Sequence, residues 1–425
     1  MSAKPLLDEM LASPSAAPAI GLLDQGRCLD NPVINLTLGD GDRVRRFSTY
    51  LPAAAFDLEA ELDFLTRRAI DHNVFFAPQF LIPAMPRLDE RHVRLMVIRD
   101  EGPQRSRLRF LMPYSIERTG LFGGPPVIRA WTHPFGPLGT PLVDSDDPDA
   151  TIGHLLETLS RKDLGFPSVL VLPDIRIEEP FARTLMSTAE RLGLPVSAAH
   201  SFDRAALDAS PGASMANVLS SKRRRELQRQ RRLLEAKGCV SFDIARTPDA
   251  IRLAMEEFLT LEASGWKGRE RSALIMDRYR AAFARESIHK LADKDRVRIF
   301  TLRLDGQAIA SLVAFVIGGE AFAWKMGFDE THAAASPGLQ MMVLATEALI
   351  ADPDVTRADS CAVPDHFLMN RLWKQRLPIQ TLVVGLTRES GRAVERAATG
   401  LDQVRRTRNA ARLMRQRVKA MFQRG

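Results

Sequence analysis

Cysteine is scarce, with three in 425 residues. Cys28, Cys239 and Cys361 lie far apart and none belongs to a C-x-x-C pair. A disulfide framework and a structural zinc site are both disfavoured. No metal is expected, and a reducing cytoplasm is the simplest compartment. Long hydrophobic runs are missing as well. No stretch reaches the ~18 uncharged apolar residues that a membrane-spanning helix needs. The first twenty residues carry Asp8 and Glu9 and lack a basic region followed by an apolar one, so no secretory or transit signal is expected. No G-x-S-x-G elbow is present, which disfavours a serine hydrolase. Tyrosine is rare: only Tyr50, Tyr114 and Tyr279 occur.

What remains is the composition of an ordinary globular chain, 45% hydrophobic and 26% charged. Its length suits two or three domains of ~150 residues. The net charge of +7 is unevenly placed. Segment 222–237 carries +6 and segment 400–425 carries +7, so the rest of the chain is mildly acidic at −6. The basic character belongs to two helical segments, not to the body. Neither segment interleaves aromatics with its cations, so sequence-specific nucleic-acid binding is not expected. The leucines at 219, 227 and 234 suggest an amphipathic helix with a solvated arginine face. Contact with tRNA, another polyanion or an acidic membrane surface is the alternative. Val404, Ala411, Met414, Val418 and Met421 give the last helix a heptad-like stripe, suited to an oligomer contact, a membrane surface or a simple tail.

Periodicity gives an element order. Residues 1–30 read as a mobile lead-in. A helix over 57–71 buries Leu58, Leu62, Leu65 and Ala69. Strands follow over 92–99, 106–112 and 127–132, then a helix over 150–162 capped by Asp149. A strand covers 168–172, a helix 178–192, and 194–198 is extended. Residues 203–216 look like a linker. A basic helix over 214–237 is expected to stop at Gly238 in a left-handed cap. A strand over 240–245 and a helix from Pro248, capped by Thr247, come next. That helix buries Ile251, Met255, Phe258 and Leu259, and 264–269 form a loop before a helix over 272–291. Strands over 296–304, 307–317 and 320–328 are joined by Asp305-Gly306 and Gly318-Gly319, both strong hairpin signals. A loop over 331–337, a helix over 338–351, a strand over 357–363, a helix over 366–376 and a strand over 379–386 lead to a helix over 392–422. Both halves repeat one order, with Trp131 and Trp324 at matching places. The expected fold is α/β (α+β), with tandem units of mostly antiparallel sheet flanked by helices. The boundaries fall at 31–205 and 206–390, and 391–425 form a separate basic helix.

This order resembles the GNAT acyltransferase fold. The second half further resembles the acetyltransferase-like domains of CelD-type cellulose-biosynthesis proteins. It does so through Lys222-Arg223-Arg224-Arg225-Glu226-Leu227, Phe258-Leu259, Leu261-Glu262-Ala263-Ser264-Gly265-Trp266-Lys267-Gly268-Arg269, Leu304-Asp305-Gly306, Trp324-Lys325, Ser336-Pro337-Gly338 and Asp359. The match covers about 200 residues. The first half resembles the fold only in its element order, and its Pro-rich loop 133–139 is ill suited to a pyrophosphate.

The resemblance implies acetyl-CoA or another acyl-CoA as donor. The donor would lie along the splayed end of the third meander strand, at Gly327 and Phe328. The next helix would offer its first amides to the pyrophosphate, at Gly338, Leu339 and Gln340, with Ser336 as N-cap. The loop before it departs from the usual Q/R-x-x-G-x-G/A pattern: it reads Ala333-Ala334-Ala335-Ser336-Pro337-Gly338, and Pro337 removes a donor. A plain helix start is the competing reading. Asp359 and His366 are candidates for the base, against capping by Asp365 and a solvated His366. Lys325 should face the cleft, or merely cover the sheet, with Trp324 on the opposite face. Trp266, Lys267 and Arg269 are candidates to hold a sugar ring and an anionic group, against a core tryptophan with solvated cations. No tyrosine lies over 359–376, where such enzymes often place the acid for the leaving thiolate. Three functions follow. One is an acyl-CoA-dependent N-acyltransferase acting on an amino sugar, a polysaccharide precursor or another small amine. The others are a Fem-like aminoacyl-tRNA-dependent transferase and a non-catalytic accessory protein of envelope polysaccharide synthesis.

Overall fold

The computed structural model describes residues 32–38, 44–88, 92–101, 106–120, 123–364 and 366–422; the side chains of Asn217 and of 408–422 are outside the description. The lead-in 1–30, Cys28 and Asp365 fall outside the described residues, as do the side chains of Ala411, Met414, Val418 and Met421. Among the described residues, fourteen strands occur in chain order. They are β1 (Ile34–Leu38), β2 (Val44–Tyr50), β3 (Arg94–Glu101), β4 (Ser106–Arg118), β5 (Pro126–Ala130), β6 (Leu142–Val143) and β7 (Val169–Arg176). After them come β8 (Val196–Asp208), β9 (Val240–Ala245), β10 (Val297–Leu304), β11 (Gln307–Ile317), β12 (Glu320–Phe328), β13 (Arg357–Asp359) and β14 (Gln375–Gly385).

The chain divides into two compact units that are not its two halves. Residues 72–89 join 203–377, and 378–425 join 1–71 and 90–202. In the first unit β1 to β5 form an antiparallel run, β7 adds parallel to β5, and β14 pairs antiparallel with β7. The last helix, Gly391–Phe422, buries Val394, Ala397, Ala398 and Leu401 in this unit, so its first turns are core and not a tail.

In the second unit β9, β10, β11 and β12 are antiparallel, β13 lies parallel to β12, and the end of β8 pairs antiparallel with β13. The order of the first unit, an antiparallel run followed by a parallel strand, is thus repeated. One face of this sheet carries the basic helix Ser221–Glu235 and the helix Pro337–Ala351. They bury Leu227, Leu234, Met341, Met342, Ala345 and Leu349 against Leu302, Leu312 and Ala314. The other face carries the helices Pro248–Ser264 and Arg278–Ala292. It is closed by a helix that the sequence reading missed, Pro78–Leu88. Pro83 and Pro86 inside that helix read as breakers, yet eight of its first residues are buried. Its Phe80, with Phe75, meets Phe283, Phe315 and Trp324 edge-on, and such aromatic contacts outweigh the backbone bonds that proline removes.

Several expectations are met closely. Thr247 caps its helix, accepting a hydrogen bond from the Ala250 N–H, and Pro248 opens it. Asp305-Gly306 and Gly318-Gly319 both lie at positive φ, as tight hairpins require. Others are corrected. Residues 203–208 are not linker but the end of β8. Asp149 lies within the first turn of Pro148–Leu159 and does not cap it. The basic helix is broken before Ser221 because the Ser220 hydroxyl accepts from the Arg223 N–H and starts a new helix. The loop expected over 264–269 closes into a helical turn, Trp266–Arg269.

Gly238 is not a left-handed cap; its φ is not positive. Glycine is needed there for space. A Cβ would lie 2.1 Å from the Asp305 carboxylate, which accepts a hydrogen bond from the Cys239 N–H at 2.8 Å and so clamps the hairpin to the end of the basic helix. Gly238→Ala should therefore cost roughly 1–3 kcal/mol in urea denaturation. In an Asp305→Ala background that cost should largely vanish. Strictly additive costs in the double-mutant cycle would refute the clash.

Candidate functional site

β12 and β13 pair over three positions only, ending at Phe322 opposite Asp359. β12 continues to Phe328 while β13 stops, so the two strands splay. The Asp329 N–H bonds to the Ile309 carbonyl, which fixes the alternation along β12. Asp329 and Gly327 therefore address β11, and the backbone groups of Met326 and Phe328 address the opened edge. An apolar cleft of about 320 Å³ lies beside this strand end. Phe328, Ser336, Pro337, Gly338 and Leu339 line it, with Arg223 from the basic helix and Phe367 and Arg371 from the helix Phe367–Leu372. Arg371 stacks over the Phe367 ring at 3.8 Å.

Of the residues expected to hold a donor, Phe328, Ser336, Gly338 and Leu339 line this cleft, while Gly327 and Gln340 do not. Ser336 stands at the N-cap in the left-handed region, and its hydroxyl accepts from Gln230 of the basic helix instead of capping. Its carbonyl takes the amides of both Leu339 and Gln340. The Gly338 amide is the first-turn donor left facing the cleft among those proposed. The Gln340 side chain is buried and donates to the Ala335 carbonyl, so it does not line the cleft. A Cβ on Gly338 would meet the Phe328 ring at 3.1 Å, so glycine lets the helix start approach the strand end.

On the other face the expectation for Lys325 changes. β12 bulges: Lys325 opposes Val313 and Ala323 opposes Ala314, leaving Trp324 as the extra residue. A bulge cancels the alternation, so Trp324 and Lys325 point to the same face. Trp324 packs among Phe80, Phe283 and Phe315, while Lys325 reaches Glu262 at 3.5 Å. The side chain of Glu262 is fully buried. Its Oε1 also takes the Lys267 ammonium at 2.9 Å, and its Oε2 accepts from the Leu274 N–H at 2.8 Å. Lys267 donates in addition to the Met326 carbonyl at 2.8 Å, on the opened edge of β12. The turn that carries it is tight: a Cβ on Gly268 would lie 1.8 Å from the Ala263 carbonyl.

Electrostatics follow the geometry. Burial pushes the Glu262 carboxyl up, but Lys325, Lys267 and the Leu274 amide outweigh it and bring its pKa below the ordinary value. Burial lowers the Lys325 pKa, with Glu262 opposing. Burial also lowers His366, helped by the nearby Lys267 charge. His366 itself caps its helix, its Nδ1 accepting from the Met369 N–H. The neutral ring then carries its proton on Nε2, which makes it a hydrogen-bond donor there and not a base. Asp359 is buried, paired with Arg204 at 3.3 Å, and accepts from the Cys361 N–H at 2.7 Å. Those partners give it a part in holding the end of β13. Arg269 is tied to Glu330 at 2.5 Å, and Glu330 also accepts from the Trp266 N–H. The Trp266 side chain stays half exposed on the rim.

Sequence reasoning quoted Glu262 and Arg223 without giving either a role of its own, and passed over Arg371 and Phe367. A glutamate at the fourth turn of an apolar helix face, five residues before a lysine, was the available signal. In the first unit, the loop after β5 folds on itself: the His133 ring lies 4.5 Å from Trp131 and its carbonyl takes the Gly136 N–H.

Because its pKa is lowered on folding, Glu262 contributes stability that is complete above its unfolded value of about 4.3 and lost as the pH falls through the folded value. Glu262→Gln should cost about 3 kcal/mol at pH 7 in urea denaturation, since it leaves two partly buried ammonium groups without their counter-charge. The gap to the wild type should narrow at pH 3.5. A gap that stays constant with pH would mean that the ion cluster is not what Glu262 contributes.

Comparison with known proteins agrees with this geometry. Residues 221–367 match the family model described as acetyltransferase (GNAT) domain. No curated protein sequence matches the chain. Among solved structures, one similar fold is the C-terminal domain of a protein assigned as a lysylphosphatidylglycerol synthetase from Agrobacterium fabrum. It is 12% identical, with a TM-score of 0.50 over 80% of this chain and 94% of that one. Another is FemX, 9% identical, with a TM-score of 0.50 over 78% and 96%. At such identities these establish likeness of fold alone. The family match spans about a third of the chain and includes the basic helix, Glu262, Lys267, the bulge of β12 and the 336–340 loop; Arg371 lies just beyond the matched residues.

Proposed function

We propose that the chain is an acyl-CoA-dependent N-acyltransferase whose second unit does the chemistry. The observation that carries this reading is the splay of β12 from β13 beside a cleft at the start of the helix Pro337–Ala351. An opened strand edge offers backbone groups to an extended amide-bearing donor, much as a further strand would. The cleft offers apolar walls, the Gly338 amide and two guanidinium groups for the donor phosphates. Arg223 and Arg371 take up the task that a glycine-rich loop would perform with amides. The acceptor amine approaches from the face of Glu262, Lys325 and Trp266. A half-exposed indole on that rim suits the face of an amino sugar or polysaccharide precursor. The reaction is placed in the cytoplasm, in keeping with the low cysteine content.

A second reading, transfer from an aminoacyl-tRNA, draws on one observation. The basic helix that contributes Arg223 to the cleft exposes Lys222, Arg224, Arg225, Arg229 and Arg232. Such a row suits a polyanion longer than a nucleotide.

Calorimetric titration with acetyl-CoA separates the two. Wild type should bind, and Arg223→Ala and Arg371→Ala should each weaken binding about tenfold or more, the cost of one charge-assisted contact. A folded wild type that gives no heat with acetyl-CoA, yet retains tRNA on purification, would replace the first reading with the second. Silence toward both would leave the accessory role.

A further inference from the structure

The position of Lys267 points to a catalytic part beyond holding an acceptor. Its ammonium sits on the opened edge of β12, 2.8 Å from the Met326 carbonyl, where under the proposed function the donor lies. The other charges of the cluster are balanced by design of number. Glu262 carries one negative charge and is contacted by two lysines, Lys267 and Lys325. Lys325 neutralises the carboxylate from the bulge, so the three groups together keep one net positive charge, that of Lys267, at the strand edge. Arg280 acts on Lys325, and the Lys267 charge acts in turn on His366. Lys267 is held from behind by the buried Glu262, and its side chain is 23% exposed, so it is partly desolvated yet in touch with water.

We propose that Lys267 is the cation against which the leaving thiolate develops. This rests on the acyl-CoA reading given above. The acceptor nitrogen attacks the thioester carbon, the C–N bond forms and the C–S bond breaks with its electron pair passing to sulfur. The nitrogen releases one proton to water, and the thiolate, paired with the Lys267 ammonium, takes one from water. The sum is amine plus thioester to amide plus thiol. In this role the ammonium keeps its proton and acts by its charge, not as an acid. A fixed, half-desolvated charge aimed at the atom that becomes negative stabilises the transition state more than the ground state. This supplies what the absence of a tyrosine over 359–376 leaves open.

The test is the ultraviolet titration of the thiolate of CoA bound to the full chain. With wild type, the bound thiol should titrate at least one pH unit below free CoA. With Lys267→Met that lowering should disappear, and with Lys267→Arg, which keeps the charge, most of it should return. Circular dichroism and urea denaturation identify a variant that has failed to fold, and Lys267→Arg then carries the comparison against wild type. CoA that binds wild type but titrates as free CoA does, or titrates alike in wild type and Lys267→Met, overturns the role of Lys267 and leaves the donor site standing. Failure of CoA to bind folded wild type overturns the donor reading, and the role of Lys267 with it.

Discussion

A carboxylate with no exposure to water must find its counter-charges inside the protein, and Glu262 finds them on three separate elements. It leaves the helix Pro248–Ser264, draws Lys267 in from the turn after it, takes Lys325 from β12 and binds the Leu274 amide from the segment beyond. Removing one partner from such a cluster costs several kcal/mol, so the three elements are held in one arrangement. The rest of the site follows from that. The turn Trp266–Arg269 is drawn onto the end of β12, and the ammonium of Lys267 is set on the strand edge that β13 leaves open.

The bulge at Trp324 is the second half of the same arrangement. Without it, Lys325 would face the helix Pro337–Ala351 and the apolar layer around Met341 and Ala345. With it, a large aromatic and a lysine share one face, the aromatic closing the core against Phe80 and the lysine meeting Glu262. One inserted residue thus separates the two faces of the sheet chemically. Phe328 and Met326 keep the cleft side apolar, and Lys325 and Gly327 turn toward the charged side. Gly327 has no side chain because one would meet the Glu262 backbone at 3.3 Å.

On the cleft side, packing brings together groups that the loop sequence by itself does not offer. The loop 333–338 has one glycine, one proline and a serine whose carbonyl captures two of the helix's free amides. Little remains for an anion except the Gly338 amide. The two arginines that line the cleft come from helices far apart in sequence, Arg223 in the basic helix and Arg371 beside Phe367. The basic helix therefore has a double character. Leu227 and Leu234 anchor it in the core, one arginine turns to the cleft, and the remaining cations face water.

Local physics was legible in the chain. The hairpins at 305–306 and 318–319, the Thr247-Pro248 helix start and the buried stripe Ile251, Met255, Phe258 and Leu259 all depend on neighbours within a few residues, where turn chemistry and helical period decide. So did the GNAT-like order of the second half, since it is a succession of such local signals. Longer-range facts were not. The helix Pro78–Leu88 belongs to the second unit because its aromatics find partners on β11 and β12, and two prolines hide it from any local reading. The side on which Lys325 lies depends on one bulge, which shifts the period by a residue without changing composition. The role of Glu262 depends on two lysines, one five residues and one 63 residues away, meeting at a carboxylate that water does not reach. Period and propensity act along the chain; burial of charge is decided only when distant segments close around it.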